Sequence, residues 1–427
     1  MAVDAAVLMR RLYTLLWWLA LPALPLRLWW RGRREHGYRE RVHERFGRYR
    51  IARPAGEVVW IHAVSLGETR AAAPLVARVL RERPNASVLL THMTATGRAS
   101  GATLADDRVL QAWLPYDVPF AVRGFLDHFR PSVGLLMETE VWPNLLAEAR
   151  ARSIAVLLVN ARLSERSARR YARAPAFARW MFGNLSGVAA QGERDATRLL
   201  ALGARDVTVV GNLKFDVRVP DEARTNGRAL RTLLSDERPV WIAASTRDGE
   251  EALILDALQA ARDVLPAGTV TVIVPRHPQR FVEVAQLLRD RGMRFAQRSD
   301  AEPLRRDVDI LLGDSVGELL AYYAAADVAF VGGSLLPLGG QNLIEPLAIG
   351  TPTLVGPHTF NFADAAEHAI GVGAAERVAD APSLIAAVGR LLRHRDERDA
   401  MRAAAATFFA AHRGATDRLW AWLAPRL

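Results

Sequence analysis

From residue 57 onward, short apolar runs alternate with longer amphipathic stretches, and no other feature of the chain constrains its fold as strongly. The runs 58–63, 87–92, 132–137 and 154–160 are apolar almost throughout. A strand of that kind needs both faces of its sheet covered. Helical periodicity fills the gaps, from Ser65 to about residue 83, then over 118–129 and 142–152. Strand and helix in strict alternation predict a parallel sheet with helices on both faces. A polar stretch follows at 216–238, and the rhythm then resumes with strands at 240–244, 270–275, 308–312, 328–331 and 353–355. Helices at 381–393 and roughly 397–423 finish the chain. The expectation is α/β: two doubly wound Rossmann-like domains, joined near 214–238. A length of 427 residues is enough for each to bury its own core. Ligands in such folds sit outside the carboxyl ends of the strands, so chemistry is expected just after each strand and in the cleft between domains.

The first 34 residues depart from this rhythm. Residues 12–26 are almost wholly apolar, and Pro22 and Pro25 are expected to kink them. The run is shorter than the roughly 20 residues of a spanning helix. Trp17, Trp18, Trp29 and Trp30 suit a membrane interface. Segment 27–50 carries nine arginines against three glutamates, which argues for a cytoplasmic body and against an exported, cleaved leader. Spanning and interfacial anchors both fit. The expected division is 1–34 as anchor and basic flank, 35–215 as the first domain and 216–427 as the second. A net charge of +10 points to anionic partners, and the lack of cysteine excludes disulfides, thiolate metal sites and cysteine nucleophiles.

Several polar motifs fall at strand ends. Ser65-Leu66-Gly67-Glu68 turns the first strand into a helix. Glu68 is either an ordinary capping residue of the first helical turn or a general base at the cleft edge. His62, within the strand, is expected to be a satisfied core histidine. Glu138-Thr139-Glu140 ends another strand, and if extended it puts both carboxylates on one face. Arg276 and His277 lie in a proline-bounded turn suited to phosphate. Gly313-Asp314-Ser315-Val316-Gly317-Glu318 offers backbone N–H groups to an anion or a base edge. The densest signal is Gly332-Gly333-Ser334 with Gly339-Gly340-Gln341-Asn342-Leu343-Ile344-Glu345, where glycines permit close approach of a ligand. Asn342 and Glu345 sit at an expected helix start, where polar side chains could bind a ribose. The pair Asp307 and Asp309 precedes its strand and is not expected to bind metal. Among 56 strong cations the chain has one lysine, Lys214, in Gly211-Asn212-Leu213-Lys214-Phe215-Asp216. A compact ammonium where arginine is used everywhere else suggests a site that needs a point charge.

Taken in order, HAVSLGET, METEVWPN, VNARLSERS, GNLKFD, PRHP, GDSVGEL and GGSLLPLGGQNLIEP resemble the 3-deoxy-D-manno-octulosonic acid (Kdo) transferases of lipopolysaccharide assembly over nearly the whole chain. The resemblance implies a glycosyltransferase-B architecture, with two Rossmann-like domains facing a cleft and an N-terminal membrane anchor helix. It implies inverting transfer of Kdo from CMP-Kdo to the lipid A precursor, lipid IVA, with release of CMP. CMP-Kdo is then a co-substrate, and no cofactor, metal or nucleic acid is involved. By position, the general base falls on Glu68, and transition-state stabilisation on Glu138 and Lys214, with Glu140 the alternative to Glu138. The CMP contacts fall on Pro275 and Arg276, on Val316, Gly317 and Glu318, and on Asn342, Leu343, Ile344 and Glu345. The acceptor is an anionic phosphorylated lipid, and the resemblance places the enzyme on inner-membrane lipids at the cytoplasmic face. Another glycosyltransferase-B enzyme using a UDP-sugar is the rival reading. It shares the glycine-rich segment but leaves HAVSLGE, METE and KFD unexplained.

Overall fold

The computed structural model describes residues 2–33, 35–104, 106–216, 219–300 and 307–427. The chain folds into two units, Met1–Val217 with Gly414–Leu427, and Arg218–Arg413.

The first unit is built on strands β1 (Glu57–His62), β2 (Ala86–His92), β3 (Val109–Trp113), β4 (Val133–Met137), β5 (Ala155–Ala161), β6 (Gly187–Ala190) and β7 (Val207–Val209). They form one sheet in the order β3-β2-β1-β4-β5-β6-β7, and every pairing is parallel. Both faces are buried, as the apolar runs require. Val58 and Trp60 pack with Phe125, Leu136 and Leu158 on one side. Val59 and Ile61 pack with Leu75, Leu135 and Val159 on the other. Trp60 fits because Gly134 is its neighbour on β4; a Cβ there would lie 2.6 Å from the indole. Strands β3, β6 and β7 were not anticipated. β6 is buried throughout but only four residues long, and β7 is three residues long and only partly buried.

The second unit repeats the plan with β8 (Val240–Thr246), β9 (Val270–Pro275), β10 (Phe295–Gln297), β11 (Ile310–Leu312), β12 (Val328–Val331), β13 (Thr353–Val355) and β14 (Ala375–Arg377). Their order is β10-β11-β9-β8-β12-β13-β14, again all parallel. Most of the polar stretch read as a join is instead the helix Asp221–Leu234. It buries only Ala223, Gly227, Leu230 and Leu234, a narrow stripe at helical spacing. Gly227 lets it approach Ala324 closely, since a Cβ would meet Ala324 Cβ at 2.4 Å. Asp307 and Asp309 face Arg294 and Arg238 at 3.5 and 2.5 Å, which accounts for both carboxylates.

The C-terminus differs from expectation in connectivity. In place of one helix over 397–423 there are two, Arg395–His412 and Ala415–Leu423, broken at Gly414 with φ +82. The expected second domain, 216–427, includes the last of these helices, and the structure assigns that helix elsewhere. Gly414–Leu427 returns to the first unit, where Ala415, Leu419, Trp422 and Leu423 join the core around Leu213.

The N-terminal segment runs as helix Ala2–Ala20, a 3₁₀ turn Leu21–Ala23 and helix Leu24–Arg31. Pro22 and Pro25 each fall in the first turn of a new segment, where no N–H is needed. One stripe packs on the first unit. Thr14 donates to Asn144 Oδ1 at 3.0 Å, Trp17 meets Tyr116 at 5.7 Å, and Leu24 and Leu28 cluster with Tyr38 and Val118. The opposite stripe, Leu8, Leu12, Leu15, Leu16, Leu19, Leu26 and Trp30, is exposed. Arg34, in the basic flank, lies outside the described residues.

Candidate active site

The strand order of the first sheet reverses direction between β1 and β4, and that switch point opens a crevice at the carboxyl ends. Glu68 follows β1 and Glu138 follows β4, so both acids stand at this crevice.

Glu68 lies in the first turn of helix Leu66–Glu82. Ser65 caps that helix, its Oγ accepting from the Glu68 N–H at 3.4 Å. The carboxylate in turn accepts from the Val64 N–H at 2.8 Å and from the Ser65 hydroxyl at 3.0 Å. The capping reading therefore holds, but it does not exhaust the residue. Glu68 is 9% exposed. Burial, followed by the charge of Glu138, pushes its carboxyl up to about 8, against the Val64 and Ser65 hydrogen bonds. An acid poised near neutral pH is what proton transfer needs.

At Glu138 the backbone is not extended. It takes φ +57, in the left-handed region, so the expected pairing of the 138 and 140 carboxylates on one face of a strand fails. The two acids have different partners. Lys214 Nζ donates to Glu138 Oε1 at 2.9 Å, and Arg162 stands 3.8 Å from Oε2. Burial raises the Glu138 carboxyl, but the Lys214 and Arg162 charges together hold it below its ordinary value. Glu140 accepts from Trp142 Nε1–H at 2.9 Å, and burial raises it. Glu138 is thus the ionised member, locked to the lone lysine.

The segment around Lys214 is held from three directions. Asn160, itself at φ +50, accepts the Leu213 N–H on Oδ1 at 3.0 Å. Asn212 Oδ1 accepts the Lys214 N–H at 3.0 Å. Leu213 and Phe215 are buried, and Asp216 accepts the N–H groups of Gly414 and Thr416 at 2.7 and 2.5 Å, anchoring the returning C-terminal helix. Sequence reasoning missed Asn160 and the part played by Asp216, because their partners are distant in the chain.

His62 is buried, its Nδ1 2.9 Å from Thr91 Oγ1, and burial lowers it to about 3, so it stays neutral. Its Nε2 has no hydrogen-bond partner among the described residues, so it is not the fully satisfied histidine expected.

In the second unit the sheet reverses direction between β8 and β12. Arg276 follows β9 and donates from Nε to Gln341 Oε1 at 3.2 Å, which joins the Pro275-Arg276 turn to the glycine-rich segment. Burial, then Arg247, Arg276 and Arg280, lowers His277, so this edge of the sheet is strongly cationic. Asn342 Oδ1 accepts the Ile344 N–H at 3.2 Å at the start of helix Ile344–Ile349. Leu343 and Ile344 are buried. Val316 is exposed and Gly317 takes φ +92, while Glu318 pairs with Arg298 at 3.0 Å.

Glu250 escaped the sequence reading. It is fully buried and accepts four backbone N–H groups, from Arg247, Gly333, Ser334 and Leu335, at 2.6–2.9 Å. The N–H groups of the loop after β12 are therefore filled by the chain's own carboxylate. Two adjacent glutamates opening the helix after β8 were the available signal. Among the described residues, no group of three or more His, Asp or Glu side chains is placed to hold a metal ion.

Comparison with known proteins points to one family. Residues 40–217 match the family described as 3-Deoxy-D-manno-octulosonic-acid transferase (kdotransferase). The 3-deoxy-D-manno-octulosonic acid transferase of Bordetella pertussis is 48% identical over 422 residues, 96% of this chain and 97% of that protein. The enzyme of the same name from Haemophilus influenzae is 39% identical, over 91% of this chain and 92% of its own. The crystal structure of Anabaena Alr3699/HepE in complex with UDP superposes with a TM-score of 0.57 at 15% identity, over 87% of this chain and 100% of that one, a likeness of fold alone. Identity of this extent, on two Rossmann-like units of glycosyltransferase-B type, leaves one assignment: the chain belongs to the 3-deoxy-D-manno-octulosonic acid transferase family.

Proposed function

We propose that this chain moves Kdo from CMP-Kdo to the lipid A precursor lipid IVA, with inversion and release of CMP, and that Glu68 is the general base. The observation that carries this reading is a buried carboxyl pushed up to about 8 beside an ionised Glu138–Lys214 pair at the switch point of the first sheet.

In this reading Glu68 takes the proton of an acceptor hydroxyl as that oxygen bonds to the anomeric carbon of Kdo. The bond from this carbon to the CMP phosphate oxygen breaks, and its electron pair departs with CMP. Attack opposite the leaving group inverts the carbon. The first unit supplies the base, and Lys214 offers a fixed point charge to the donor carboxylate or the departing phosphate. The second unit holds CMP, with Arg276 on the phosphate and Asn342 and Glu345 toward the ribose. Protein cations do the neutralising that a metal does in other transferases.

The anchor reading is interfacial. Its inward stripe docks on the first unit over Thr14 to Leu28. A helix spanning the roughly 30 Å hydrocarbon core would carry that body in with it. The exposed stripe then lies in lipid, and the arginines of 27–50 meet anionic headgroups at the cytoplasmic face of the inner membrane.

Incubating purified enzyme with CMP-Kdo and lipid IVA, then weighing the lipid product, tests the reaction. Glu68→Ala is expected to abolish transfer while CMP still protects the protein from thermal unfolding. Protection by UDP and not by CMP would sink the donor assignment.

A further inference from the structure

A second charged feature lies apart from Glu68 and Lys214. Between the N-terminal helix and the helices Pro119–Phe129 and Pro143–Ala151 is a pocket of about 400 Å³. Arg10 and Arg11 line one wall and Arg123 another, with Trp18, Asn144 and Glu148 around them. Glu148 is its one carboxylate, and it is shared between Arg123 at 3.1 Å and Arg152 at 2.8 Å. Positive charge is therefore in excess.

The walls are fixed in place. The Thr14 hydroxyl reaches Asn144, the Trp18 ring packs on Phe120 at 5.5 Å, and buried Asp117 accepts the Asn144 and Leu145 N–H groups at 2.9 and 2.8 Å. Both body helices begin beyond the carboxyl ends of β3 and β4, the same edge of the sheet that carries Glu68 and Glu138. Leu15 lines the pocket and belongs to the exposed apolar stripe of the helix.

We propose that this pocket holds the phosphate of a phosphorylated lipid whose acyl chains lie along that stripe. Guanidinium forks match phosphate oxygens in pairs, and three of them around one partly neutralised carboxylate favour a dianionic phosphomonoester over a monoanionic diester. A soluble polyanion gains nothing from the leucines, and a neutral lipid gains nothing from the arginines. The idea rests on the proposed function in that the acceptor there is a phosphorylated lipid, but binding at the pocket needs no transfer.

The test uses the full chain and phosphatidylcholine vesicles carrying either phosphatidic acid, a phosphomonoester, or phosphatidylglycerol, a diester, at matched surface charge. Wild type is expected to prefer the phosphatidic acid vesicles. An Arg11→Ala/Arg123→Ala variant loses that preference, with affinity for phosphatidic acid falling by about 30-fold for two basic side chains. An Arg27→Ala/Arg33→Ala control weakens on both lipids alike and keeps the preference. Equal behaviour of the two variants, or no preference in wild type, overturns the pocket. Release of the vesicles by inorganic phosphate at millimolar levels shows a free-anion site and overturns the lipid assignment. Kdo transfer is measured on the same wild-type preparation. Its absence removes the proposed function without touching the vesicle result, whereas transfer without lipid preference removes the pocket alone.

Discussion

Replacing Glu138 with Gln tests whether the first-unit acids act as one electrostatic group. Glu68 works as a base only when ionised, so kcat/KM for the acceptor follows its ionised fraction and rises with pH through about 8. At pH 7 about one-tenth of Glu68 is ionised. Burial is the largest cause of the raised value, and the Glu138 charge is the next. Glu138→Gln leaves burial in place, removes the like charge, and gives Lys214 a neutral amide oxygen in place of the carboxylate now 2.9 Å away. Both changes favour the Glu68 carboxylate. For a like charge already countered by a lysine the shift is about one pKa unit, or about 1.4 kcal/mol. The alkaline-rising limb then moves from about 8 to about 7, and the ionised share at pH 7 grows roughly fivefold. The variant loses rate overall, because Lys214 loses its ionised partner, but its deficit is expected to be about fivefold smaller at pH 7 than at pH 9. Initial rates across pH 5.5–9.5 at saturating CMP-Kdo, with product counted by mass spectrometry, read this directly. Parallel profiles for wild type and variant would refute either the coupling or the role of Glu68.

Three further outcomes are expected. Lys214→Arg keeps the charge but places a planar fork where an ammonium sits 16% exposed against Glu138, and kcat falls by about 100-fold or more with CMP affinity unchanged; full activity would make the lone lysine an accident of composition. Glu250→Ala strands four buried N–H groups in the second unit, costs at least ~3 kcal/mol in urea unfolding, and weakens CMP protection, since the loop after β12 loses its anchor. Asp216→Ala uncaps the helix Ala415–Leu423 and costs about 1–2 kcal/mol, with Asn restoring most of it in a thermal melt.

The buried parallel strands were legible because a strand covered on both faces must be apolar on both, as Val58, Val59, Trp60 and Ile61 are. Strands β7, β10 and β14 were not, being three residues long and partly exposed. The helix Asp221–Leu234 passed for a polar join because four residues suffice to seat it. Lys214 stood out by count alone, and its neighbours in GNLKFD lined up with a family. Its supports did not stand out, because Asn160 and Asp216 act on residues 53 and about 200 positions away.

The amino-acid sequence by itself determined two parallel α/β units, a basic and apolar N-terminus, and which acids and cations fall at strand ends. These follow from local periodicity and composition, which each segment carries without its neighbours. Only the tertiary structure decided what those groups are chemically. Glu68 is pushed up to about 8 because burial strips its water and Glu138, 70 residues on, repels its charge. Glu138 is held ionised because Lys214, 76 residues further, reaches it. Desolvation and Coulomb forces depend on distance in space, and the strand order, with β4 placed beside β1, sets that distance.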